Sequence, residues 1–112
     1  MIHVGIGDRV LTLELNLHKI WVLYNWNYFD KRISSQLKTL MKMFKDYYQS
    51  KSKGINPKTP TIEDLQKEVD RVNVKVKSDI ISLVSEFPLN REENGYAHYV
   101  LVGGNKFVFP DP

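Results

Sequence analysis

Near the N-terminus of this chain, hydrophobic and polar residues alternate. Every second residue from 11 to 17 is a leucine, and polar side chains stand between them. This is the period of a strand with one buried face. Gly7 and Asp8, just before the run, are typical of a tight turn. The pattern therefore predicts a β-hairpin over residues 2–6 and 9–17.

The next stretch follows a helical period over most of its length. From Val22 to Tyr48, hydrophobic residues recur at steps of three and four, which is one continuous stripe along a helix. We expect one helix over about residues 18–50. Two alternatives stay open: a strand, because residues 20–28 also alternate, and a break near Asn25–Asp30 in which the aspartate caps a new helix.

A second helical pattern follows a loop rich in lysine, glycine and proline over residues 51–60. Hydrophobic residues recur at steps of three and four up to Phe87, and Thr61 is a suitable N-cap. We expect a helix over about residues 61–87. Because residues 72–77 also alternate, a short strand at that point is the alternative.

Two hydrophobic runs flank a glycine-rich turn near the C-terminus. Tyr96–Val102 and Lys106–Phe109 lie on either side of residues 103–105, and together they predict a β-hairpin. Residues 89–95 are expected to be a polar loop. The whole pattern predicts a single two-layer α+β domain over residues 1–112, in which both hairpins form one antiparallel sheet packed against a helical hairpin.

Positive charge is concentrated in the middle of the chain. Residues 31–58 hold eight basic side chains against one acidic, a charge of +7, whereas residues 1–30 carry −1 and residues 59–112 carry −3. Such a patch says more about partners than about fold. The candidate site for phosphates or an acidic partner consists of Lys31, Lys38, Lys42, Lys45, Lys51, Lys53 and Lys58.

The chemistry of this patch narrows its candidate partners. Lysine dominates over arginine, which favours diffuse attraction to phosphates over readout of base edges. On a helix, four of these lysines lie on a face separate from the hydrophobic stripe. A basic helix face can contact nucleic acid, an acidic protein or an anionic lipid surface. The alternative without a partner is a solvated surface.

A run of aromatic residues marks a second candidate site. We expect Trp21, Tyr24, Trp26 and Tyr28 to form a protein interface, because tryptophan and tyrosine are enriched in the residues that dominate binding. Packing in the core is the alternative interpretation, and stacking on nucleobases is a third.

Residues for catalysis or metal binding do not form a pattern. There is no cysteine, and His3, His18 and His98 fall in three different expected elements. Metal sites need three or four convergent ligands. The serines lack the sharp strand-to-helix turn of a nucleophile. We therefore expect no catalytic, metal or cofactor site, and a protein that is not an enzyme.

The start of the chain lacks the basic and apolar segments of a secretion signal, and no apolar run is long enough to span a bilayer. We expect a cytoplasmic protein, or one within a viral particle.

The sequence favours a small non-enzymatic interaction or assembly protein, such as a phage or mobile-element component, that self-associates or binds another protein. The alternative is a nucleic-acid-binding regulator or accessory factor that uses the basic face and loop of residues 31–58, here called the basic window.

Overall fold

The computed structural model describes residues 6–112, with side chains described from Asp8 onward. These residues form α1 (Ile6–Asn25), α2 (Lys31–Lys53), α3 (Ile62–Val76), α4 (Ile80–Ser85), β1 (Leu89–Arg91), β2 (Ala97–Val102) and β3 (Asn105–Pro110). The strands form one antiparallel sheet in the order β1-β2-β3. Helix α1 contacts α2 and α4 and also β2 and β3, so it lies between the sheet and the other helices. The predicted α+β class, with an antiparallel sheet against helices, is confirmed.

Helix α1 occupies the place of the predicted N-terminal hairpin, and that prediction is wrong for residues 9–17. In a run with a leucine at every second position, each leucine is also four residues from another leucine. The run therefore contains the spacing of a helix face as well as that of a strand. Leu13 and Leu17 are buried, whereas Leu11 and Leu15 are exposed. Leucine is a strong helix former, and the helical choice buries one such pair against the core. Ile6 of the predicted first strand also belongs to α1, and residues 2–5 lie outside the described part of the chain.

The helix predicted over residues 18–50 is interrupted, and the alternative break is the one that forms. Asn27 takes a left-handed conformation with φ of 57°, which asparagine tolerates better than most residues. Asp30 then caps α2, because its side chain accepts a hydrogen bond of 2.9 Å from the backbone N–H of Ile33. The alternative strand over residues 20–28 is not found.

Helix α3 begins as predicted and ends early. The Thr61 hydroxyl accepts from the N–H of Asp64, whose carboxylate accepts from the N–H of Thr61, which confirms the predicted N-cap. The helix ends where Lys77 takes a left-handed conformation with φ of 58°. The prediction of one helix over residues 61–87 is therefore wrong in its length, and α4 follows separately. Residues 72–77 form no strand.

The C-terminal hairpin is confirmed. β2 and β3 pair around Gly103 and Gly104, whose φ values of 56° and 85° suit glycine. The predicted polar loop over residues 89–95 is wrong at its start, because β1 pairs there with β2.

The hydrophobic core surrounds α1. Polar side chains of α1 therefore lie next to residues of the other elements. Buried hydrophobic residues come from all four helices, from the segment between α1 and α2 and from β2: Leu13, Leu17, Ile20, Val22, Leu23, Phe29, Leu37, Leu40, Met41, Phe44, Leu65, Val69, Val72, Val76, Ile80, Val84, Ala97 and Val100. Along residues 16–20 every side chain of α1 is buried, including those of Asn16, His18 and Lys19. Buried polar groups usually find partners inside the protein, and His18 and Lys19 do so, whereas Oδ1 of Asn16 has no hydrogen-bond partner among the described residues.

Candidate functional site

The outer face of α2 carries a line of exposed lysines, here called the lysine stripe: Lys31, Lys38, Lys42, Lys45 and Lys53. At 100° and 1.5 Å per residue, these five lie within an arc of about 80° and extend over about 33 Å of the helix. The opposite face of α2 supplies its buried side chains. The structure thus places five of the seven lysines predicted for anion binding on one surface.

The basic side chains outside the stripe have different roles. Arg32 donates a hydrogen bond of 2.6 Å to the backbone carbonyl of Val76, at the end of α3. Lys51 forms an ion pair with Glu14 of α1. Lys58 is exposed in the loop after α2. Lysines of the stripe form no ion pair with the carboxylates of residues 8–112, so their charge is free to attract an anion.

Open polar recesses lie at both ends of the stripe. Near its start, Lys31 and Lys38 line a recess of about 450 Å³ together with asparagine and serine side chains. Near its end, Lys53 and Lys58 line one of about 480 Å³ together with amide and hydroxyl side chains and the acidic Asp46. Ammonium, amide and hydroxyl groups are donors commonly found on phosphate oxygens.

The two tryptophans of the aromatic run contact the last strand of the same chain. The indole N–H of Trp21 donates to the carbonyl of Pro110 at 3.1 Å, and that of Trp26 donates to the carbonyl of Val108 at 2.7 Å. Both rings also pack edge-on against phenylalanines of β3. These residues therefore hold α1 against the sheet.

The rest of the aromatic run is only partly covered. Tyr28 is 43% exposed and Trp26 49% exposed, and both rings lie edge-on to Phe107. Tyr24 is half-buried beside the recess that contains Lys31. Of the four residues predicted to form an interface, Trp26 and Tyr28 keep the most surface for a partner.

A largely buried polar group joins α1, β2 and the segment after β3. It consists of His18, His98 and Asp111, here called the His–Asp cluster. Nε2 of His18 lies 3.1 Å from Oδ1 of Asp111, and Nδ1 of His98 lies 2.6 Å from the same oxygen. One potential ligand atom from each residue falls within 4.8 Å of the others. The side chains of the three residues are 7%, 14% and 14% exposed in that order.

Neighbouring side chains fix the orientation of the carboxylate and of one imidazole. The Tyr48 hydroxyl donates to Oδ2 of Asp111 at 3.0 Å, and Arg91 lies 3.7 Å from that oxygen. The His18 ring lies edge-on to the rings of Tyr48 and Phe44 at centroid distances of 5.2 and 5.8 Å. With Oδ2 held in this way, Oδ1 faces both imidazoles.

Burial controls the charges in the cluster. It lowers the pKa of His18 to about 4, with a further lowering from His98, while Asp111 acts in the opposite direction. Burial also acts to raise the pKa of Asp111, but the hydrogen bond with His98 and the interaction with His18 hold it below its usual value. At neutral pH, His18 is therefore neutral and Asp111 is ionised.

The sequence did not indicate this cluster. His18 and Asp111 are 93 residues apart, and Asp111 was not among the candidate residues. The two histidines were expected in separate elements, and nothing local to either indicates the other. His3 lies outside the described residues. The expectation of no metal site stays a prediction, although the structure brings three potential ligands together.

Lys19, beside the cluster in sequence, has a structural role. Its ammonium donates a hydrogen bond of 3.0 Å to the carbonyl of Ser85, the last residue of α4. Positive charge at the C-terminal end of a helix is favourable. Burial lowers the pKa of Lys19.

No protein-family model, curated protein or solved structure matches this chain. Among the described residues, no helix combines the length and the hydropathy needed to cross a membrane.

Proposed function

We propose that this is a non-enzymatic protein that binds nucleic acid through the lysine stripe. The observation that carries the proposal is that the stripe presents five like charges on one exposed face with no carboxylate partner among residues 8–112. A polyanion is the natural partner for such a surface, because it releases bound counterions when lysines neutralise its phosphates.

The composition of the stripe favours binding without sequence readout. Lysine is a flexible point charge, and bidentate contacts to guanine are mainly made by arginine. The arginine of this part of the chain, Arg32, is occupied by the carbonyl of Val76. The stripe and Lys58 could together contact about four to six phosphates. The log–log slope of affinity against salt should then be about −4 to −5 on duplex DNA.

Fluorescence anisotropy with a labelled duplex of unrelated sequence tests this proposal between 50 and 300 mM salt. The variant Lys42→Glu with Lys45→Glu should weaken binding at least tenfold and make the salt slope shallower. The control is Lys67→Glu with Lys75→Glu, which makes the same change of charge at exposed positions of α3. A single-stranded oligonucleotide of equal length should be measured in parallel.

Two results would contradict nucleic-acid binding by the stripe. One is no binding to either probe at 50 mM salt. The other is equal weakening by the two double variants, because the effect would then reflect net charge alone. If binding to nucleic acid is absent, capture of an acidic protein that is lost only in the α2 double variant would favour a protein partner for the stripe.

Self-association is a second candidate function, and the exposure of Trp26 and Tyr28 favours it. Half-exposed aromatic side chains on one surface are typical of interface anchors. The basic window and the acidic C-terminal half could also attract each other between copies. Sedimentation velocity at micromolar concentration should then detect an oligomer, and Tyr28→Ser should yield a folded smaller species. A monomer at all concentrations would exclude this candidate.

A further inference from the structure

The side chains of the His–Asp cluster carry atoms that can coordinate a metal ion as well as form hydrogen bonds. Two imidazole nitrogens and one carboxylate oxygen converge from three separate segments of the chain, and each residue offers one ligand atom. We infer that His18, His98 and Asp111 bind one divalent transition-metal ion of the Zn²⁺ type. Two histidines and one carboxylate are a donor set that suits Zn²⁺ and also Fe²⁺ or Co²⁺.

Two of the three ligand-atom distances in the cluster are close to those that a metal requires, and all three lie within 4.8 Å. Bonds of about 2.0–2.2 Å place neighbouring ligand atoms about 3.0–3.5 Å apart. The atoms of His18 and Asp111 are already 3.1 Å apart. Those of His98 and Asp111 are 2.6 Å apart. The second pair must therefore widen by only about half an ångström.

The surroundings of the Asp111 carboxylate resemble part of the outer shell of a metal site. Ligating carboxylates are normally held by further hydrogen bonds that leave one oxygen for the metal. Here Tyr48 donates to Oδ2 of Asp111, and Oδ1 faces the histidines. Arg91 opposes a cation, but it lies 3.7 Å from Oδ2 rather than between the imidazoles. With three ligands from the chain, a fourth position is open to water or an external ligand.

Binding needs no redox step and no additional reactant. The metal takes the lone pairs of Nε2 of His18 and Nδ1 of His98, and in each neutral ring the proton then sits on the other nitrogen. Asp111 supplies a negative charge, so the bound site carries a net charge of +1 before any external ligand. Small exposed fractions of His98 and Asp111 provide a way in for the ion.

Calorimetric titration of chelator-stripped protein with ZnCl₂ tests the inference directly. We expect one ion per chain, and at least a tenfold weakening in each of His18→Gln, His98→Gln and Asp111→Asn. The matched control is His3→Gln, which removes the remaining histidine of the chain and should leave Zn²⁺ affinity unchanged. Circular dichroism of each variant shows whether it has folded.

A measurement on the unaltered protein covers the case in which a variant fails to fold. In ¹⁵N-edited NMR spectra, Zn²⁺ should shift the ring nitrogens of His18 and His98 but not those of His3. Substituting Co²⁺ should produce visible absorption from ligand-field transitions. No saturable binding up to 1 mM Zn²⁺ would overturn the inference, and so would binding that needs His3 or that survives Asp111→Asn at full strength. In either event the cluster only joins the sheet to the helices.

Discussion

The lysine stripe and the His–Asp cluster are built in opposite ways. Stripe residues come from one helix, carry like charges and are exposed. Cluster residues come from α1, β2 and the segment after β3, combine one carboxylate with two imidazoles and are largely buried. Salt screens the charges of the first within about 10 Å, whereas the short contacts of the second are little affected by salt.

This difference separates two ways in which a site depends on its fold. The stripe needs only that α2 stays helical, so its side chains can change with little loss of stability. The cluster exists only while three distant segments stay together, so its loss changes stability as well as chemistry. Substitutions on the two surfaces should therefore differ in both respects.

The largest expected loss of stability comes from truncating a side chain on the inner face of α2, and the same truncation on the lysine stripe is the comparison. Leu40 is fully buried, and Leu40→Ala should lower the free energy of unfolding by about 2–5 kcal/mol. Lys38→Ala, on the stripe, should change it by about 0.5 kcal/mol or less. Urea unfolding measures both. Equal losses would show that the assigned inner and outer faces of α2 are wrong.

Acid should affect the cluster and leave the stripe charged. The pKa of His18 lies near 4 in the folded protein, below its ordinary value of 6.5. Between these values the unfolded chain binds a proton that the folded chain does not, so stability is complete above about pH 6.5 and falls as pH drops toward 4. The loss should approach about 3 kcal/mol.

Urea unfolding at several pH values, with a chelator present, measures this dependence. His98, Asp111, Tyr48 and Arg91 are the titratable groups that face the ring of His18, and all four are retained in the sequence of a His18 variant. His18→Gln should therefore flatten the curve between pH 4 and 6.5. A variant with the same pH dependence as the unaltered protein would assign the effect to another group.

Removing the charge of the cluster should have an intermediate effect. Asp111→Asn keeps the size of the side chain, but an amide has a single oxygen, so it cannot replace both carboxylate oxygens that contact His18, His98 and Tyr48. We expect a loss of about 1–3 kcal/mol at pH 7. Lys42→Gln removes a charge from the stripe and is the comparison, with no measurable loss. If both variants unfold alike, the cluster contributes nothing to stability.

The smallest expected loss of stability concerns Arg32, which lies beside the lysine stripe on α2. Arg32 belongs to the basic window but bonds to the carbonyl of Val76, so Arg32→Gln should cost about 1 kcal/mol of stability. Its effect on affinity for duplex DNA should be smaller than that of Lys42→Gln, which changes charge by the same amount. Anisotropy and urea unfolding together measure both quantities. A larger loss of affinity from Arg32→Gln would place it in the binding surface.

How far the sequence could predict these regions depends on the range of the interactions involved. The period of α2 is local, and burial of Leu37 and Phe44 follows from their spacing alone. The exposure of the lysines between them follows as well. The turn of the C-terminal hairpin is also local, because its glycines set it.

Elsewhere the outcome depended on distant partners. A spacing of two residues contains a spacing of four, so the leucines of α1 fit a strand and a helix alike, and contacts with β2 and β3 accompany the helical outcome. The His–Asp cluster has no local pattern at all. His18 and Asp111 meet only because the last residues of the chain return to the middle of α1.

The indole contacts of α1 have a consequence for the outer edge of the sheet. In a hairpin with a two-residue turn, Val108 and Pro110 lie opposite non-hydrogen-bonded partners on β2. Their backbone carbonyls therefore point away from β2, toward the outer edge of the sheet. Trp26 and Trp21 occupy those two carbonyls, and proline has no N–H to offer. A foreign strand would find few free backbone groups along β3, so this edge of the sheet is protected against edge-to-edge pairing.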